Sequence, residues 1–213
     1  MKIICISDTH TEHDDINLEN ADILVCSGDS THSYLVNNRN TEEQVFHFID
    51  WLSIQNIKHK VYIAGNNDGM YTENNVEKVK KYALSKGVFY LSDSSVIIDG
   101  YKIYGSSWNL AYSINRGFGV DIEIELKDKF ALIEDDTNIL LTHTPPYEIL
   151  DKNAQGVHCG SLYLSLRIQK LKNLKCSIFG HIHEANGIEK QNGIIYVNAA
   201  YSKKNPYSII EIE

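Results

Sequence analysis

Five short apolar runs in this chain each lead into a residue able to hold a cation, and that recurrence constrains the fold more than any other feature. KIICIS at 2–7 is followed by Asp8 and His10, and DILVCS at 22–27 by Asp29. The run ending at Ala64 leads to Asn66, that at 139–141 to His143, and CSIF at 176–179 to His181 and His183. Short β-branched and aliphatic runs stopped by polar clusters are the pattern of strands buried on both faces. Ligands of open α/β sheets bind beyond the carboxyl ends of the strands, so these loops are expected to meet at one crevice. The pairs Asp8/His10 and His181/His183 would each face one cation if the backbone there stayed extended.

The segments between the runs predict the rest of the architecture. Thr41, with Glu43 and Gln44 just after it, opens a helix over 41–56 in which Val45, Phe46, Phe48, Ile49 and Leu52 recur on one face. A strand over 61–64 and a helix over 76–86, stopped by Gly87, complete a βαβαβα pattern. Asp99-Gly100 between two apolar runs is a two-residue hairpin signal. Further helices are expected near 121–133 and 161–172, and closing strands at 193–198 and 206–212. The expected class is α/β, a two-sheet β-sandwich core flanked by helices. A length of 213 residues suits one core, and three prolines mark no linker, so residues 1–213 are expected to form a single domain.

Charge and cysteine usage narrow the functional classes. Lys plus Arg number 20 and Asp plus Glu 28, a formal charge of −8 without a basic run, which disfavours long nucleic acid as a partner. The four cysteines are scattered, none at CxxC spacing, and Cys5 and Cys26 fall inside strands, so a reducing compartment and core roles are expected. The N-terminal apolar run is too short for a signal peptide, and no run approaches the ~18 apolar residues of a membrane span. A cytoplasmic protein with no membrane partner is the expectation.

The ordered motifs D-T-H at 8–10, G-D at 28–29, G-N-N-D at 65–68, T-H-T-P-P at 142–146 and G-H-I-H at 180–183 resemble those of calcineurin-like metallophosphoesterases. Within that superfamily SDTH, GDST, THTPP, the HCG at 158–160 and FGHIHEANG look most like the small metallophosphoesterase-domain-containing group. The resemblance implies an αββα fold in which Asp8, His10 and His183 bind one metal, Asn66, His143 and His181 a second, and Asp29 bridges them. Carboxylates, imidazoles and one amide without a thiolate suit two divalent ions, Mn²⁺ first, with Fe or Zn as alternatives. Two such ions outweigh two aspartates and a bridging hydroxide, so the crevice of an acidic protein would attract a phosphate. The implied activity is that of a binuclear metal-dependent phosphodiesterase hydrolysing a small phosphate ester, a nucleotide or cyclic nucleotide being the leading candidate, by hydroxide attack. Asn66, Asn67 and His143 are the expected phosphate contacts. Two other readings stand beside it: a degenerate member that binds metal and a phospholigand or protein, and a nuclease on short single strands.

One position departs from the family pattern. The motif that normally reads GNHD reads GNND, and Asn67 cannot donate a proton as the family's histidine does. A positioned general acid contributes ~10²–10⁴-fold, so diesters or activated leaving groups are expected to be favoured. Asn67 itself, by amide hydrogen bonding, and His32 and His158, from nearby loops, are the candidates for the catalytic role. Asp68 is expected to accept backbone N–H groups in its turn, and Glu184 to orient an imidazole. His13, His47 and His59 are assigned to surface or helix positions, and Trp108, Tyr112 and Phe118 either stack on a substrate or pack.

Overall fold

A computed structural model describes residues 1–32, 41–111 and 116–213. Its strands are β1 (Lys2–Ile6), β2 (Ile23–Cys26), β3 (His59–Tyr62), β4 (Phe89–Tyr90), β5 (Ser94–Ile98), β6 (Tyr101–Ser106), β7 (Asn109–Leu110), β8 (Gly119–Val120), β9 (Ile139–Thr142), β10 (Cys176–Phe179), β11 (Gly187–Gln191), β12 (Ile194–Asn198) and β13 (Ser208–Glu211). The helices are α1 (Thr41–Ile54), α2 (Asn66–Thr72), α3 (Val76–Ser85), α4 (Leu126–Ala131) and α5 (Leu162–Ile168), with 3₁₀ turns at Glu12–Asp15, Glu123–Glu125 and His183–Ala185.

Two sheets dominate, in the orders β13-β1-β2-β3-β4 and β11-β12-β10-β9-β6-β5. Strands β1 to β4 run parallel, as do β6, β9, β10 and β12, while β13, β11 and β5 pair antiparallel at the edges. Alternation of side chains sorts each strand between two layers. Ile3, Cys5, Ile23, Val25 and Val61 of one sheet meet Ile103, Ile139, Leu141, Cys176 and Ile178 of the other between the sheets. On the outer face of the first, Ile4, Leu24 and Tyr62 pack under Val45, Phe48 and Leu52 of α1 and Val79 of α3. Outside the second, Tyr104, Leu140 and Phe179 pack under Phe130 of α4 and Leu164 of α5. Apolar residues on both faces of the central strands therefore follow from four layers, helix–sheet–sheet–helix, which is the expected α/β class.

Several element boundaries differ from expectation. The first crossover carries only the 3₁₀ turn at Glu12–Asp15, so the opening β-α-β unit has no α-helix. Strand β3 begins two residues earlier than 61, because its pairing with β2 extends to His59. The helix expected over 121–133 is α4 preceded by a 3₁₀ turn, and that over 161–172 ends at Ile168. The hairpin holds: Asp99 and Gly100 have φ of 48° and 87°, both in the left-handed region a two-residue turn of this kind requires. His13, assigned to the surface or a helix, is instead fully buried on its 3₁₀ turn, against Phe48 and Trp51. His47 lies on α1 and His59 on β3. Among the described residues no helix is long and apolar enough to cross a membrane.

Candidate metal centre

The loops after β1, β2, β3, β9 and β10 deliver Asp8 and His10, Asp29, Asn66, His143, and His181 with His183. They do so on a backbone that is not extended. Asp8, His10, Asp29 and His181 have φ of 54°, 42°, 52° and 70°, the left-handed region in which Asp, Asn and His are enriched among non-glycine residues. The chain thus turns sharply as it leaves β1, β2 and β10; Asp8 and His10 still face one place, their ligand atoms grouped with that of His183, but the second i, i+2 pair does not. His181 and His183 part company: Nδ1 of His181 stands 3.1 Å from His143 Nε2, whereas His183 Nε2 stands 3.3 Å from His10 Nε2 and 3.5 Å from Asp8 Oδ1.

Backbone bonds stitch the loops together. Asp8 N donates to the Gly28 carbonyl at 2.8 Å, His10 N to that of Asp29 at 3.1 Å, and Gly180 N to that of His143 at 3.1 Å. Gly28, at φ 100°, sits so close to the next loop that a Cβ would lie 2.4 Å from Gly65 N. Asp68 performs the expected turn role, taking N–H groups from Ser30, Thr31 and Gly65 and so tying the loop carrying Asp29 to that carrying Asn66.

Two groups of side chains result. Asp8, His10 and His183 have ligand atoms mutually within 4.8 Å, as do Asp8, Asp29 and His143. His143 Nε2 also lies 3.0 Å from Asn66 Oδ1 and 3.6 Å from Asp29 Oδ2. Asn67 donates from its backbone N to Asp29 Oδ1 at 2.8 Å and from its side-chain amide to Asp29 Oδ2.

Electrostatics in the crevice are those of a cation site. Burial opposes ionisation of Asp8, but His183, His143 and His10 outweigh it and hold the carboxyl below its usual range. Asp29 is likewise held low despite burial, chiefly by His143. Burial pulls the His143 pKa down, but the carboxylates of Asp29 and Asp8 raise it to about 9. Burial, with the charge of His143, lowers His181 to about 4. Two carboxylates here recruit positive charge from whatever is at hand, a proton on His143 included.

The donor set fits divalent metal ions. Among the described residues Asp8 Oδ1 is buried with no hydrogen-bond partner, with His183 Nε2 at the 3.5 Å of a loose ion pair, although an unsatisfied carboxylate oxygen is expensive. Nδ1–H of His10 donates to the Thr31 carbonyl at 2.8 Å and that of His143 to the Ser27 carbonyl at 2.9 Å. Both imidazoles are thereby oriented with Nε2 turned toward the other ligand candidates, the atom on which a metal ion would replace a proton. Two nitrogens bound tetrahedrally at about 2.0–2.1 Å stand roughly 3.3 Å apart, close to the spacing of His10 and His183. The carbonyls of Thr31 and Ser27 were absent from the sequence reading, since no residue-type signal marks a backbone oxygen.

Other candidates fall in different places. His32 stacks on His10, ring centroids 6.1 Å apart, and its backbone N donates to Gln44. His158 Nδ1 pairs with the buried Asp151 carboxylate at 2.6 Å, and both line a cleft with Glu184 and Glu189. Phe118 and Trp108 pack edge to face, with Trp108 donating to Asp93, so they join the core. Tyr112 lies outside the described residues.

Comparisons with known proteins agree with this geometry. The model of the calcineurin-like phosphoesterase family matches residues 1–185. Human Metallophosphoesterase domain-containing protein 1 is 30% identical over 99% of this chain and 71% of its own length, and a UPF0046 protein of Caenorhabditis elegans is 31% identical over 96% and 71%. Among solved structures, TT1561 of Thermus thermophilus superposes with a TM-score of 0.59 at 16% identity, covering 93% of this chain and 88% of that one. A dimetal phosphatase from Danio rerio gives 0.57 at 9% identity, covering 98% and 91%. The fold and the crevice define a metal-dependent phosphoesterase. The chain belongs to the calcineurin-like phosphoesterase family, and among its relatives are the metallophosphoesterase domain-containing and UPF0046 proteins.

Proposed function

We propose that this chain is a binuclear phosphodiesterase acting in the cytoplasm on a small phosphate ester, a nucleotide or cyclic nucleotide, with two divalent ions, Mn²⁺ foremost. The supporting observation is the position of Asp29, whose ligand atom lies within 4.8 Å of those of Asp8 and His143. Asp8, His10 and His183 would hold one ion, and Asn66, His143 and His181 the other, with Asp29 shared. Divalent ions held by these residues would supply Lewis-acid chemistry toward a phosphate and would lower the pKa of a bound water.

The chain's own residues set the rest. Asn66, Asn67 and His143 border the place of the phosphate, and Asn67 offers amide hydrogen bonds without an acidic proton. Leaving groups that depart without protonation, such as phenolates, are therefore favoured over alkoxides, a ribose alkoxide included; the preference for a diester is a separate part of the proposal, read by comparing a diester and a monoester that release the same group. His32, stacked beside His10, and His158, set by Asp151, are the groups able to assist. Neither a long nucleic acid nor a membrane is part of this reading. A binding module on the same scaffold is the second reading, favoured by the engagement of the Asn67 amide with Asp29.

Hydrolysis of a chromogenic diester and its monoester by chelator-stripped protein, before and after Mn²⁺, separates the two. Turnover restored by metal, lost in His143→Ala and faster on the diester is expected. Two retained ions with no turnover of either ester would overturn the hydrolase reading and favour the binding module.

A further inference from the structure

A second constellation of metal-ligating side chains stands apart from the crevice. His13, on the 3₁₀ turn Glu12–Asp15, directs Nε2 toward Nδ1 of His47 on α1, 3.2 Å away. Asp14 completes the group: its Oδ1 lies 4.0 Å from His13 Nε2 and 3.8 Å from His47 Nε2. One ligand atom from each residue lies within 4.8 Å of the other two.

We propose that His13, Asp14 and His47 form a zinc site, distinct from the phosphoesterase centre, that ties the turn after β1 to α1. The 3.2 Å between His13 Nε2 and His47 Nδ1 is close to the roughly 3.3 Å separating two nitrogens on tetrahedral Zn²⁺, and the Asp14 carboxylate beside them offers a third ligand. The buried ligand is fixed in advance. His13 is fully buried, its ring edge-on to Phe48 with centroids 4.9 Å apart and 5.3 Å from Trp51. Its other nitrogen, Nδ1, faces Thr9 Oγ1 at 3.5 Å, so metal on Nε2 leaves Nδ1–H directed at a hydroxyl acceptor. His47 and Asp14 are more than half exposed at the side chain, which gives an ion access and lets the carboxylate close the remaining distance. Two imidazoles and a carboxylate, with water in the fourth position, match a three-ligand zinc site.

Zinc retained per chain after incubation with Zn²⁺ and gel filtration tests the assignment, comparing wild type with His47→Ala and Asp14→Ala. Wild type is expected to keep one equivalent more than His47→Ala, and Asp14→Ala to hold that ion at least tenfold more weakly. Mn²⁺-dependent ester hydrolysis is expected to be unchanged in His47→Ala. The difference of one equivalent is read whether or not the crevice is a hydrolase, so the two proposals fail independently. Equal zinc content in wild type and His47→Ala would overturn the site, whatever the total.

Discussion

Asp68 commits both carboxylate oxygens to neighbouring loops: Oδ1 accepts from Ser30 Oγ and Thr31 N, each at 2.9 Å, and Oδ2 from Gly65 N at 3.1 Å and Ser30 N at 3.3 Å. Removing it strands buried donors rather than one contact, so Asp68→Ala is expected to lose about 3 kcal/mol in urea unfolding, and Asp68→Asn less, since its carbonyl still accepts. Asn67 is a test of chemistry rather than stability. Asn67→His is expected to raise turnover of slow, alkoxide-leaving esters toward the ~10²–10⁴-fold of a positioned acid; no gain would mean this position does not limit the reaction. The thiols separate by burial. It pushes Cys176 up to about 12 and Cys5 and Cys26 well above the ordinary thiol range, while half-buried Cys159 is raised by burial and Asp151. Because the thiolate is the reactive form, a thiol reagent at pH 8 is expected to modify a single cysteine, absent in Cys159→Ser, with a rate that climbs as pH rises.

Central strands were legible because they lie between helices and a second sheet, so both faces of KIICIS and DILVCS must be apolar. The hairpin was legible because Asp99-Gly100 carries its own backbone chemistry. What failed depended on tertiary context. The GNND turn continues as α2, where Asp68 takes the Gly65 N–H at the helix start, and nothing local distinguishes that from a loop. The left-handed φ at Asp8 and His181 is imposed by bonds to other loops, among them His181 N to Asp8 Oδ2 at 2.9 Å, across 173 residues. The carbonyls orienting His10 and His143 come from 21 and 116 residues away. The seven ligand candidates were readable because residue type marks them, and their partners were not because backbone has no type. Gly180 shows how tightly the elements close on the centre. A Cβ there would lie 2.1 Å from both Asp8 Oδ2 and Ser7 Oγ. Gly180→Ala is therefore expected to displace the Asp8 carboxylate, with an overpacking cost of ~1–3 kcal/mol and loss of metal retention in chains that still show native circular dichroism.

Over the whole molecule the crevice spans the seam of the sandwich. Asp8, Asp29 and Asn66 arrive on loops of the β1–β2–β3 sheet, and His143, His181 and His183 on loops of the β9–β10 sheet. An ion coordinated by both binds only when the sheets are packed, so it stabilises the folded state by mass action. At a free concentration a hundredfold above its dissociation constant one ion contributes about 2.7 kcal/mol. In a chain of this size each kcal/mol moves the midpoint by roughly 2–4 °C, so restoring Mn²⁺ to chelator-treated protein is expected to raise Tm by roughly 5–10 °C per ion held. His143→Ala, which leaves the Asp8–His10–His183 group intact, is expected to keep only part of that rise. A Tm indifferent to metal in both proteins would mean that the carboxylates are neutralised by protons on their histidine neighbours alone, and the crevice would then lack the cations on which phosphate capture depends.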